Sequence, residues 1–151
     1  MKTIILMTAI FLTVAFAGPL AATEPSHVRG YILATETSQV IGNTLIVDVS
    51  GIGSSTFGAF TFTYHSKVNL TTLLSKGSAQ FTSPNGDTLS TTTVGQSSDT
   101  GIGELYVTEL HTVTSGTGGF AGATGNFTLE RMLDLAASKT YGWFNGTIGL
   151  N

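Results

Sequence analysis

Tyr141-Gly142-Trp143-Phe144-Asn145-Gly146-Thr147-Ile148-Gly149-Leu150 is the stretch on which the choice of fold turns. Phe144, Ile148 and Leu150 alternate with Tyr141, Trp143, Asn145 and Thr147, which predicts a strand with two unlike faces. Gly142, Gly146 and Gly149 interrupt the run, and Gly58 sits in an upstream strand of the same kind. Glycine weakens a flat sheet because it brings no side chain to pack. It also lets a strand coil sharply and approach its neighbour closely. Its repeated use inside strands therefore favours a sheet closed on itself.

The rest of the chain supplies enough strands to close one. From His27 onward, short runs of β-branched and aromatic residues are bounded by Gly, Asn, Asp, Ser or Pro. They predict strands over Val28–Thr37, Thr44–Val49, Phe57–Ser66, Ser78–Thr82, Leu89–Val94, Glu104–Val113, Asn126–Leu135 and Tyr141–Leu150. Phe60, Phe62 and Tyr64 share one face of their strand, and Thr61, Thr63 and His65 share the other. Phe127, Leu129, Leu133 and Leu135 share a face that Arg131 interrupts. Between two strands, Val68–Ser75 carries Leu70, Leu73 and Leu74 at helical spacing, with Ser66 or Asn69 as a cap. This predicts a single helical turn plugging a barrel end. Ser83-Pro84-Asn85-Gly86-Asp87 predicts a type I′ hairpin turn, because Asn-Gly tolerates positive φ at both central positions. Gly-Ile-Gly at 51–53 and at 101–103 reads as two unrelated turns.

Sequential strands with short connections must remove their exposed edges by closing a barrel or pairing two sheets. The expected fold is all-β, a closed antiparallel eight-stranded up-and-down β-barrel. The alternative is a β-sandwich, although the Cys…Trp…Cys spacing of an immunoglobulin-like one is absent. Eight strands close around an interior that is either filled by side chains or holds one small ligand.

Composition narrows the function classes. The chain has 151 residues, 10% of them charged, 19 glycines and no cysteine. A disulfide scaffold, a thiolate metal site and a cysteine nucleophile are excluded. Lys2 precedes an uncharged apolar run from Thr3 to Phe16 that ends in Ala15-Phe16-Ala17. That pattern predicts a secretory signal peptide over 1–17, a flexible leader over 18–26 and a single barrel domain over 27–151. The run is too short for a bilayer span, so secretion without membrane insertion after cleavage is expected. Removing 17 of the 151 residues leaves 134, with five basic and nine acidic side chains, a formal charge of −4. An acidic domain with scattered charges lacks the footprint of a nucleic-acid binder and of a polybasic membrane patch.

One connection carries a family resemblance. Gly116-Thr117-Gly118-Gly119-Phe120-Ala121-Gly122-Ala123-Thr124-Gly125-Asn126 resembles the GTGRFAGATGS segment of small secreted bacterial proteins. Those are similar to the barrel superfamily of plant allene oxide cyclases and dirigent proteins. Ser54–Phe60, Pro84–Leu89 and Gly142–Ile148 fit in the same order. Gly119 stands where the arginine before the phenylalanine is usual, which removes whatever role that arginine has. The resemblance implies a closed barrel and a homo-oligomer, a trimer as in the plant relatives. It carries no catalytic set across.

Candidate chemistry is sparse. The glycine-rich connection is followed by a strand and contains no Gly-Lys-Ser/Thr, so it is no nucleotide loop, and no cofactor is expected. His27, His65 and His111 lack metal-ligand spacing. No Gly-x-Ser-x-Gly elbow is present. Glu109 and His111 lie two apart on one strand and so share a face with Leu105, Val107 and Val113. If that face lines the barrel, desolvation would raise the carboxylate pKa and suit acid–base work. Arg131 reads as an anchor for an anionic ligand, paired across strands with Glu109 or Glu36, or as an arginine that pairs structurally or snorkels to solvent. Tyr64 and Tyr106, with Tyr31 and Trp143, are candidate pocket aromatics, and Asp48 reads as a solvated or paired strand carboxylate. The leading expectation is a barrel binding a small apolar or phenolic ligand inside. A non-catalytic structural or interaction module acting as an oligomer is the alternative, and a cyclase- or isomerase-like enzyme the third.

Overall fold

The computed structural model describes residues 24–151. The expected signal peptide over 1–17 and the expected leader up to residue 23 lie outside the described residues. The strands are β1 (Ser26–Ile41), β2 (Thr44–Ser55), β3 (Gly58–Asn69), β4 (Leu74–Thr82), β5 (Thr88–Asp99), β6 (Glu104–Gly116), β7 (Thr124–Asp134) and β8 (Lys139–Gly149). Each pairs antiparallel with its neighbour in sequence, and β1 also pairs with β8, from Ser26↔Ile148 to Thr35↔Lys139. The barrel expectation is met, and the sandwich alternative is not. One 3₁₀ turn, Gly118–Phe120, lies between β6 and β7.

Alternation aims one residue in two at the interior. Val28, Ile32, Val47, Val49, Phe62, Tyr64, Leu89, Phe127, Leu129, Phe144 and Ile148 form a single buried cluster. Phe81 links much of it, with ring centroids 5.5 Å from Phe60, 5.9 Å from Phe62 and 5.7 Å from Phe127. Inward glycines make room for the larger inward residues. Gly142 pairs with Arg131, and a Cβ there would overlap the Glu130 carbonyl and lie 2.6 Å from Arg131 Cβ. A Cβ on Gly95, which pairs with Glu109, would lie 2.8 Å from Glu109 Cγ.

Several local expectations are corrected. Residues 68–75 form no helix: β3 runs to Asn69 and β4 starts at Leu74. Asn69 does cap, its Oδ1 accepting from the Thr71 and Thr72 N–H groups at 2.9 and 3.1 Å. The chain then reverses through Leu73 at φ 56°, so capping and leucine spacing serve one tight turn. The 83–87 hairpin is not type I′. Its turn closes through Gly86 N–H to the Ser83 carbonyl at 2.9 Å, with Pro84 and Asn85 between them. Only Gly86 takes positive φ, at 90°, because the proline ring forbids it at residue 84. Gly51-Ile52-Gly53 is no turn but the interior of β2, where Gly51 pairs with Ala34 and Phe62. Gly101 and Gly103 do make a turn, at φ 78° and 85°. Most strands outrun the predicted limits, since Ser-, Thr- and Gly-rich flanks such as Gly95–Asp99 continue the ladder. Leu135 falls beyond β7 and is exposed.

Candidate functional site

The up-and-down topology divides the interior into two mouths and a polar centre. At one end, beside the 55–58, 83–87 and 117–123 connections, Phe57, Phe60, Phe81, Phe120, Phe127 and Phe144 line a mouth of about 50 Å³. Phe57 and Phe120 meet edge to face at its lip, centroids 6.1 Å apart. At the other end, Leu45, Leu70, Leu73, Leu105 and Leu133 line a mouth of about 110 Å³. Between them the space left by Tyr64, Glu109, His111, Arg131 and their neighbours is only about 10 Å³, room for roughly one water.

The centre is an ion network across three strands. Arg131 on β7 donates from Nε and Nη2 to Glu109 Oε2 and Oε1 on β6, at 3.1 and 3.2 Å. Its Nη1 donates to Glu36 Oε2 on β1 at 2.9 Å and to Thr140 Oγ1 on β8 at 3.3 Å. Glu36, Glu109 and Arg131 are all buried. Strand parity explains the convergence: Glu109 pairs with Leu129, and Arg131 with Val107 and Gly142, all inward positions. Both readings of Arg131 as a partner, of Glu109 and of Glu36, therefore hold at once. The anion-anchor reading has less to stand on, since Nε and both Nη atoms are already engaged.

These contacts govern protonation. Burial alone would raise the Glu109 carboxyl, but the charge and hydrogen bonds of Arg131, with help from His111 and Tyr64, hold it below the ordinary carboxylate range. The expected upward shift for acid–base work is thus reversed. Burial also tends to lower Arg131, and Glu109 and Glu36 more than offset it, so the guanidinium stays charged. Burial and the Glu109 charge push the Tyr64 hydroxyl up to about 12. Burial pushes His111 down to about 4, against a smaller upward pull from Glu109. The imidazole is therefore neutral near pH 7.

His111 is the one ring here with free chemistry. Its Nδ1 meets Thr91 Oγ1 at 3.0 Å, and its face stacks on Phe127 with centroids 4.6 Å apart. Its Nε2 is buried and has no hydrogen-bond partner among the described residues. A buried imidazole nitrogen without a partner costs roughly 1–3 kcal/mol. Phe81, 5.9 Å away, and Phe127 both touch this ring and both line the phenylalanine mouth.

The other candidates lie elsewhere. Tyr106 is on the outer wall, where the Glu130 carboxylate raises its hydroxyl; it does not line the barrel because its parity is opposite to that of Val107 and Glu109. Tyr31 and Trp143 are outward and exposed, and pair across β1 and β8. The Trp143 Nε1–H donates to Glu130 Oε2 at 3.0 Å. Asp48 is exposed and paired with His65, Oδ1 to Nδ1 2.7 Å. No group of three His, Asp or Glu suited to a metal occurs among the described residues. Sequence reasoning missed Ser66, Ser75, Thr91, Thr93 and Thr140, all buried and inward. Their only signal was phase with hydrophobic neighbours such as Leu89 and Ala79. It also missed Phe57, Phe60, Phe81 and Phe120 as mouth residues.

The glycine-rich connection builds the phenylalanine mouth. Gly119 N–H donates to Asp87 Oδ2 at 2.8 Å and Thr88 N–H to Thr117 Oγ1 at 2.9 Å, clasping the 83–87 turn. Gly118 stands at φ 54°, where a Cβ would overlap the Asp87 carboxylate. Comparison of the chain with protein families, with curated proteins and with solved structures gives no match in any of the three.

Proposed function

We propose that this chain is a secreted, non-catalytic binding barrel for a single-ring phenolic molecule. The ring enters the phenylalanine mouth and its hydroxyl meets His111 Nε2. The observation that carries this is the unpartnered Nε2 of a buried ring that packs on Phe81 and Phe127, two residues of the aromatic mouth. A phenolic hydroxyl is both donor and acceptor, so it satisfies Nε2 in either imidazole tautomer. The mouth of about 50 Å³ is far below the roughly 300–1,000 Å³ of ordinary ligand pockets. The occupant is therefore one ring, admitted as Phe57 and Phe120 turn aside. Catalysis has little support: two bonds from Arg131 hold the Glu109 carboxylate in its ionised form, and His111 has no ionised partner within hydrogen-bonding reach among the described residues.

Calorimetry with phenol and benzene tests this. Phenol is expected to bind at least tenfold more tightly than benzene, about the worth of one hydrogen bond. His111→Phe is expected to erase the preference. Equal binding of the two rings, or a preference that survives His111→Phe, would overturn the assignment.

A second reading, the interaction module, rests on the outer wall. Tyr141 and Trp143 on β8, Tyr31 and Leu33 on β1, and Ile52 on β2 are neighbours by register and all exposed. Contiguous exposed apolar surface of this kind suits contact with a partner. The resemblance to trimeric barrels is compatible with it. Light scattering showing an oligomer that Trp143→Ser dissociates would favour this reading.

A further inference from the structure

The leucine-lined end of the barrel lies apart from the phenylalanine mouth and has its own chemistry. We propose that it binds a small primary alkylammonium ion, with the ammonium against Glu36, Glu109 and Ser75 and the alkyl chain against the leucines.

Charge balance is the first observation. Two carboxylates, Glu36 and Glu109, face one guanidinium, and all three groups are buried. One negative charge is left over, because His111 is neutral and the described lysines, Lys67, Lys76 and Lys139, are all exposed. A buried charge without a counterion is costly, so a cation that supplies one is strongly favoured. Among the described residues Glu36 engages Arg131 through Oε2, and both carboxylates line the leucine mouth. A carboxylate oxygen can accept more than one hydrogen bond, so the contacts to Arg131 leave acceptor capacity free.

The second observation is a hydroxyl. Ser75 is 7% exposed, its Oγ has no hydrogen-bond partner, and it lines the same mouth. A single point, the Cβ position that Gly95 leaves empty, lies 2.7 Å from Ser75 Oγ and 2.8 Å from Glu109 Cγ. The orphan hydroxyl and the Glu109 side chain thus border the same small space. Two carboxylates and a hydroxyl match the three N–H donors of a primary ammonium. The third observation is the shape and lining of the mouth. Its volume of about 110 Å³ and its leucine walls suit a chain of a few carbons rather than a bare hydrated ion. At the rim, Leu73 is held at φ 56°, a strained conformation for leucine.

Titration calorimetry on the secreted protein tests the proposal with propylammonium chloride, 1-propanol and potassium chloride. Propylammonium is expected to bind at least tenfold more tightly than the isosteric, uncharged propanol, and potassium is expected not to displace it at equal concentration. Glu36→Gln removes the surplus charge but keeps the Arg131–Glu109 pair, so the barrel is expected to stay folded by circular dichroism and to lose binding at least tenfold. Leu105→Trp, which fills the mouth without touching a charge, is expected to abolish binding as well. Equal binding of propanol, displacement by potassium, or undiminished binding by either variant would overturn the proposal. Phenol binding at the other mouth is expected to be unaffected by Leu105→Trp, so the two sites stand or fall separately.

Discussion

Arg131 joins four strands at one point: its own β7, β6 through Glu109, β1 through Glu36 and β8 through Thr140. Replacing it by methionine keeps much of the volume but strands two carboxylates in the interior. Removing one member of a buried ion network typically costs about 3–5 kcal/mol, and Arg131→Met is expected to lose that much in urea unfolding at pH 7. His111 makes a prediction in pH. Its folded pKa of about 4 lies below the ordinary 6.5, so the unfolded chain takes up its proton first. Its neutral form contributes fully above about pH 6.5, and that contribution drains away as pH falls toward 4. The whole span is on the order of 3 kcal/mol. Glu109, lowered from the ordinary 4.5, adds its own loss only at lower pH, below that value. Melting temperature is therefore expected to fall between pH 6.5 and 4.5 in the native chain and to stay nearly flat there in His111→Phe. At this scale the charged residues were legible, because an arginine or glutamate in an apolar phase stands out. Thr91, Thr93 and Ser75 were not, because small hydroxyl residues fit either face of a strand equally well.

The turns decide how the strands are joined, and two of them hold non-glycine residues at positive φ. Leu73 is at 56° and Ser138 at 53°. Ser138 is exposed, and its carbonyl accepts from the Glu36 N–H at 2.9 Å, a bond any residue makes. A left-handed conformation costs a non-glycine residue roughly 1–2 kcal/mol, part of which glycine returns as unfolded-state entropy. Ser138→Gly is expected to stabilise the barrel by about 0.5–1 kcal/mol in urea unfolding, and a loss of stability would count against strain at this turn. Strand existence was readable from alternation, whereas turn geometry was not. Leucines at 70, 73 and 74 have helical spacing, yet Asn69 caps only one turn before Leu73 reverses the chain. Asn85-Gly86 has the composition of a type I′ turn, yet Pro84 shifts the turn one residue earlier.

Closure of the whole barrel was legible in its glycines, since Gly142 lets β8 press against Arg131 and β7. The filling of its interior was not. That depends on how inward residues from all eight strands meet, and single-strand patterns carry no record of the shear between them. The result is a barrel whose centre retains about 10 Å³ and whose larger interior spaces, about 50 and 110 Å³, lie at its ends. Inside against outside is also a whole-molecule matter: Tyr64 and Tyr106 look alike in sequence, but register sends one to the core and the other to the outer wall. The central claim, that a phenolic hydroxyl reaches His111 through the phenylalanine mouth, is tested most directly by nitrogen NMR of the imidazoles during titration with phenol. The His111 Nε2 resonance is expected to shift while those of His27 and His65 do not. An unmoved His111, or phenol-induced shifts confined to the outer wall around Trp143, would contradict it.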